Sequence, residues 1–310
     1  MGLEFGRQYL WHGVTWATGR PTLLLADAAT GVLGHVEVMG LDLGLKVCGS
    51  ARFCTGRYGF AGTCQVEPLP CPWQAEAGSG GQCAGCLGQD EFRFAHQFHK
   101  GGHAPPALAA YMSQPHWLYV ATFAHAVSKV GTAAAPRRRS RLDEQGPTWA
   151  TYLAHVPDGR AVRMLEDALS RELGLTQTVR GTAKLGALAD PDPARIHAAH
   201  ERVVDRAIAA LADLGVSIVR DEWEPPGVSL ALRSPQQQGE RAVYPHDLRH
   251  GEHGFLVESC SGSHVLARLS SDATHPDGVR YVLDLNTLKG RRITIGDYTS
   301  PETILQGSLF

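Results

Sequence analysis

Between Trp117 and Gly146 the hydrophobic rhythm of the chain changes twice. Leu118-Tyr119-Val120-Ala121 is a short run of aromatic and β-branched residues and predicts a strand. Lys129-Val130-Gly131 predicts a second short strand. A basic helix is expected after Pro136, which suits the first helical position because the N–H it lacks would have no partner there. That helix carries Arg137, Arg138, Arg139 and Arg141 and ends near Gly146; Arg137 and Arg141, four apart, share a face. Residues 150–156 read as a third strand. Asp158-Gly159 then turns into a helix over residues 160–173, with Leu165, Leu169 and Leu173 along one side and Glu166 just off it.

On either side the rhythm is different. Residues 1–47 alternate short apolar and polar runs (Tyr9-Leu10-Trp11, Thr22 to Leu25, His35 to Val38) and predict a small antiparallel β element. Residues 48–104 show no helical period. Pro105-Pro106 marks a boundary, and the α/β unit fills 105–185. Residues 186–226 hold a Pro-containing link and a helix over 194–214, whose Val203, Ala207, Ile208, Leu211 and Leu214 keep helical spacing. Residues 227–310 return to strands at 228–232, 254–257, 264–269 and 280–285, predicting a β-barrel or sandwich. The N-terminal β segment is the natural candidate to complete it, with the other segments inserted between. The expected class is α+β and multidomain.

Composition narrows the options. A mean hydropathy of -0.16 describes an ordinary globular chain, and a net charge of -2 gives no global attraction to nucleic acid, so any such binding needs a local basic patch. No apolar run approaches the roughly 20 residues that span a bilayer. The first residues, MGLEFGRQYLWHG, lack a charged and then apolar leader. A cytoplasmic protein with reduced thiols is expected. Six of the seven cysteines lie between Cys48 and Cys86, and Cys260 sits in a strand-like run as a core residue. In a reducing compartment such a cluster binds zinc more often than it forms disulfides. Cys83-Ala-Gly-Cys86 is the clearest knuckle, two thiolates aimed at one ion; the spacing alone leaves the second pair open. His96, His99 and His103 follow closely; His99 and His103, four apart, either add ligands or belong to a polar loop. Trp117, Trp149 and Trp223 either stack bases or fill cores.

The ordered set of two strands, an Arg-bearing helix and a helix with one carboxylate resembles the GIY-YIG nuclease superfamily. More narrowly, it resembles an uncharacterised bacterial and archaeal family in which a cysteine cluster precedes a Leu-Tyr-Leu-Ala strand, a Lys-Val-Gly turn and an Arg-hydrophobic-x-x-Gln-Gly helix end. Arg141-Leu142-Asp143-Glu144-Gln145-Gly146 matches the last of these, and the likeness covers roughly residues 54–173. The resemblance implies that Tyr119 stands for the first-strand tyrosine, Gly131 for the second-strand glycine, Arg141 for the arginine and Glu166 for the metal-binding carboxylate. Lys129 occupies the place of the second tyrosine, a departure that puts the usual base in doubt. The family's Cys-x-Gly, Cys-Pro and Gln-Cys-x-x-Cys pattern implies Cys54, Cys71, Cys83 and Cys86 as a tetrahedral zinc site, with Cys48 and Cys64 outside it.

The expected function is then phosphodiester hydrolysis on DNA or RNA. Glu166 would bind Mg²⁺ or Mn²⁺, Arg141 would fork onto a phosphoryl oxygen, and Tyr119 or Lys129 would act as base. Two rivals remain: a non-catalytic nucleic-acid-binding module, and an enzyme acting on a small molecule through the cleft and the cysteines.

Overall fold

The computed structural model describes residues 2–62, 65–78, 81–101, 104–175, 181–234, 240–270 and 278–302. Strands β1 (Gln8–Thr15), β2 (Thr22–Asp27), β3 (Leu33–Glu37) and β4 (Asp42–Val47) are followed by a hairpin of β5 (Arg57–Ala61) and β6 (Gln65–Leu69). Helix α1 (Ala84–Gln89), a 3₁₀ stretch over Glu91–Lys100 and α2 (Pro106–Met112) lead to β7 (His116–Thr122) and β8 (Ser128–Ala134). Then come α3 (Arg138–Gln145), β9 (Trp149–Val156), α4 (Gly159–Glu172), α5 (Gly181–Ala189), α6 (Pro193–Asp213) and β10 (Asp221–Glu222). The chain closes with α7 (Leu230–Arg233), β11 (Arg241–Val243), β12 (Glu252–Ser261), β13 (His264–Leu269), β14 (Arg280–Asp284) and β15 (Arg292–Ile295).

Both ends of the chain build one sheet of nine strands, ordered β11-β14-β13-β12-β4-β15-β1-β2-β3. The join is made by β4 against β12 and β15, and by β15 against β1, all antiparallel. Alternation in β4 is simple: Leu43, Leu45 and Val47 are buried while Lys46 faces solvent. These side chains join Tyr9, Trp11, Leu23, Phe255, Val265, Tyr281 and Ile293 in a single apolar cluster. Among the described residues the sheet ends at β11 on one side and β3 on the other, so it is not the closed barrel the strand pattern suggested.

The second sheet is ordered β10-β9-β7-β8, with β8 at its edge. Its central strand β7 alternates: Leu118 and Val120 face α4 and α6, in a cluster with Val130, Val162, Leu169, Val204 and Leu211. Tyr119 and Ala121 face the other way, with Ala133, Tyr152, Leu142 of α3 and Trp223. The helix with Arg141 and the helix with Glu166 therefore cover opposite faces and meet at the β8 edge. Inside the second layer, His200 of α6 is clamped between Thr122 and Thr151, with both ring nitrogens 2.8 Å from a threonine Oγ1.

Two further expectations fail. Residues 228–232, read as a strand, form a 3₁₀ turn over Gly227–Ser229 and helix α7; Ser229 Oγ donates back to the Pro226 carbonyl at 2.8 Å and turns the chain. The cysteine-rich segment, read as lacking helix, contains α1 and the 3₁₀ stretch, because Cys83 and Asp90 each cap the segment after them.

Candidate functional site

Two features of the described residues have the makings of a functional site. The first is the cysteine cluster. Cys54, Cys71, Cys83 and Cys86 place their Sγ atoms within 4.8 Å of one another, with Cys71 and Cys83 at 3.9 Å. None is in a disulfide. A tetrahedral zinc with bonds near 2.3 Å requires sulfur atoms about 3.8 Å apart, so the donor set fits such an ion. Local backbone geometry builds the site. Gly56 has φ +82 and a Cβ there would lie 1.9 Å from the Leu69 carbonyl oxygen, so the Cys54-Thr55-Gly56 turn has no room for a side chain. The Gly56 N–H donates to Cys54 Sγ at 3.3 Å and the Cys86 N–H to Cys83 Sγ at 3.5 Å. The latter bond leads the effects that lower the Cys83 thiol to about 7, while burial pushes Cys54 and Cys86 up. Among the described residues these four cysteines are the one group of three or more side chains able to hold a metal ion.

The remaining cysteine and histidine candidates fall outside this cluster. Cys48 has its Sγ 3.1 Å from Thr294 Oγ1, and Cys260 is a fully buried core residue. His99 Nε2 lies 2.8 Å from Asp167. Cys64, His103 and the side chain of His96 lie outside the described residues.

The second feature is a cleft of about 350 Å³ along the β8 edge. Arg137 lines it from the turn before α3, Arg141 from α3, Arg163 from α4, Thr132, Ala133 and Ala134 from β8, and Lys289 from the turn between β14 and β15. Arg137 pairs with Glu144 at 2.6 Å, and Arg141 lies 3.9 Å from the same carboxylate. Burial opposes the Arg141 charge, but the Tyr119 hydroxyl and Glu144 outweigh it and hold its pKa above the ordinary value. Glu166, buried one turn behind the rim, pairs with Arg163 at 2.6 Å.

The four residues singled out by the sequence are thus neighbours with different placements. Arg141 reaches the cleft. Glu166 reaches it through Arg163. Tyr119 is 1% exposed, lies over Gly131, and accepts a hydrogen bond from Gln145 Nε2 at 2.7 Å; burial raises its pKa. A Cβ on Gly131 would come within 2.5 Å of the Tyr119 oxygen, so the glycine is required by the ring rather than by backbone conformation. Lys129 shares the Tyr119 face of the sheet. Burial, then Arg141 and Lys184, push its amine down to about 7. Lys184, absent from any sequence pattern, sits 4.0 Å from the Phe123 ring centroid and is lowered to about 8 by burial.

The other basic-helix arginines, Arg138 and Arg139, do not line the cleft. The Arg138 guanidinium lies 4.1 Å from the ring centroids of both Trp117 and Tyr152 and pairs with Asp221, and Arg139 approaches Asp143 at 4.0 Å. Trp223 donates its indole N–H to Asp143 at 3.1 Å, and together with Trp149 it lines a separate cavity of about 620 Å³. Sequence reasoning missed Lys289, Tyr58, Tyr111 and His12, which also line the cleft. They come from four distant segments, and no local spacing signals their convergence.

Among the described residues no helix is long and apolar enough to cross a membrane. Comparison with protein-family models, with curated proteins and with solved structures returns no match for this chain.

Proposed function

We propose that the protein is a zinc-stabilised, GIY-YIG-like nuclease that binds DNA or RNA in the β8-edge cleft and hydrolyses a phosphodiester there. The observation that carries this reading is the meeting of Arg141 and Arg163, from helices on opposite faces of the sheet, in one cleft with Glu166 held directly behind. Two guanidiniums in a partly enclosed cleft match the non-bridging oxygens of a phosphodiester and the charge that grows on them during attack. Glu166 would hold a Mg²⁺ or Mn²⁺ ion, which would add charge stabilisation at the leaving oxygen. Lys129 does not line the cleft, so this reading assigns it no role as base; its amine, near neutrality, lies close to Arg141, and Tyr119 fixes α3 through Gln145. The four cysteines would supply all four ligands of a zinc ion, which would make a closed structural site and speaks against small-molecule chemistry there.

One observation favours the second reading, a non-catalytic nucleic-acid-binding module: Glu166 is already ion-paired to Arg163, and no group of three metal-capable side chains forms around it among the described residues. A cleavage assay on labelled DNA and RNA with Mg²⁺ or Mn²⁺ separates the two. The nuclease reading expects Glu166→Gln to reduce cleavage by at least about 100-fold with binding kept, and Arg141→Gln to weaken both. Binding without metal-dependent cleavage in the intact protein establishes the second reading instead.

A further inference from the structure

The cleft does not end at Lys289. A second cavity of about 280 Å³ shares His12, Leu24, Tyr58, Pro68 and Lys289 with it, so the two form one continuous groove. The second part runs under the cysteine knuckle, along Thr55, Gly56 and Gln82. Six cations line the combined groove: Arg52, Arg57, Arg137, Arg141, Arg163 and Lys289. Two carboxylates, Glu144 and Asp90, line it with them. In a chain whose net charge is -2, this is a concentrated positive strip. Arg52 is exposed and spends its Nε–H on the Lys289 carbonyl at 3.2 Å, not on an acid.

Aromatic surface accompanies the charge. Tyr58 on β5 is 47% exposed and lines both cavities, with Phe92 behind it at 6.2 Å between ring centroids. His12 is 6% exposed, lines both cavities, and its buried Nε2 has no hydrogen-bond partner. A large exposed ring beside a row of cations is the arrangement on which unpaired bases stack while the backbone follows the charge. Each cavity has the volume of one small ligand, roughly a nucleotide, and not of a duplex.

We infer that this groove takes a single-stranded polynucleotide, threaded from the Arg141–Arg163 cleft beneath the cysteine knuckle, with Arg52, Arg57 and Lys289 on its phosphates and Tyr58 against a base. The inference rests on the phosphodiester reading of the cleft and adds its substrate class. It also gives the knuckle a second role, because the turn that carries Cys54 also carries Arg52 and Arg57 into the groove wall.

The test is fluorescence anisotropy on the full-length, zinc-loaded protein without Mg²⁺ or Mn²⁺. The probes are one labelled 12-nucleotide sequence as single-stranded DNA and as single-stranded RNA, and each as a duplex. The expected result is single-strand binding at least about 10-fold tighter than duplex binding for one or both sugars, with the better sugar naming the substrate. The double variant Arg52→Gln/Arg57→Gln is expected to weaken single-strand binding by about 10-fold and to lower the salt slope by roughly 1.4, at unchanged zinc content. Lys289→Gln, outside the knuckle, repeats the test and is expected to lower the slope by about 0.7. Equal or tighter duplex binding that is lost in Arg141→Gln overturns the single-strand inference and leaves the phosphodiester reading standing. Variants that retain zinc and bind as the wild type does also overturn it. No binding of any probe overturns both.

Discussion

Lys129 shows how one side chain can tie the candidate site to the stability of the fold. Its amine is pushed to about 7 in the folded chain, against 10.5 for an ordinary lysine. Between those values the unfolded chain binds more protons, so this residue makes stability rise with pH across that window and imposes its full cost below about pH 7. Lys129→Met is therefore expected to raise the melting temperature most at or below pH 7, with the gain fading towards pH 10.5. Melts at a series of pH values check this, and a pH-independent difference would contradict the assigned shift. Gly131 makes a steric prediction. Gly131→Ala drives a methyl group into the buried Tyr119 ring and is expected to cost about 1–3 kcal/mol, read by denaturant unfolding. A neutral substitution would mean that the ring does not lie where it is described. At this scale the sequence revealed residue types and neighbours, but not orientation. Tyr119 is flagged by its motif, yet its hydroxyl is committed to Gln145, and only the packing of α3 reveals that.

The elements depend on fewer residues than their lengths suggest. The cysteine segment is held in two places: by the buried group around Cys54, Cys71 and Cys86, and by Phe60, Val66, Phe92 and Ala95 packed with Leu108 and Tyr111 of α2. A bound ion would add order at the first of these, since metal binding to a site absent from the unfolded chain stabilises the folded one. One zinc per chain is expected by elemental analysis. Cys83→Ser or Cys54→Ser should lose it and lower the melting temperature by on the order of 10 °C. A protein that keeps its metal in both variants would rule out the four-thiolate site. The strands β7, β8 and β9 and the helices α3, α4 and α6 were legible because period and punctuation agree: Pro136, Gly146 and Asp158 sit where those elements start or stop. Helix α7 was not, because Val228 to Leu232 is apolar, short and β-branched at its start, and the bonds that hold it as a turn come from the Ser229 hydroxyl and from Ser259 of distant β12. The clamp on His200 was equally silent, since its threonines come from two strands far away in sequence.

Across the whole molecule, the nine-stranded sheet draws on residues 8–47 and 241–295, so the cysteine segment and the α/β unit leave from one body and return to it. The pattern of short strands at both ends predicted β structure in each. That they share one sheet follows from pairing of β4 with β12 and β15, which single-strand periodicity does not encode. This arrangement brings Lys289 and His12 to the same cleft as Arg141 and Arg163. The central claim, that a phosphodiester and a divalent ion meet there, is tested most directly by anomalous diffraction. Crystals would be soaked in Mn²⁺ with a phosphorothioate dinucleotide that resists cleavage. The account predicts a manganese peak about 2.1–2.2 Å from a Glu166 carboxylate oxygen and the phosphorothioate within hydrogen-bond reach of Arg141. A dinucleotide seated in the cleft with no metal at Glu166, and the Arg163 pair intact, would contradict it.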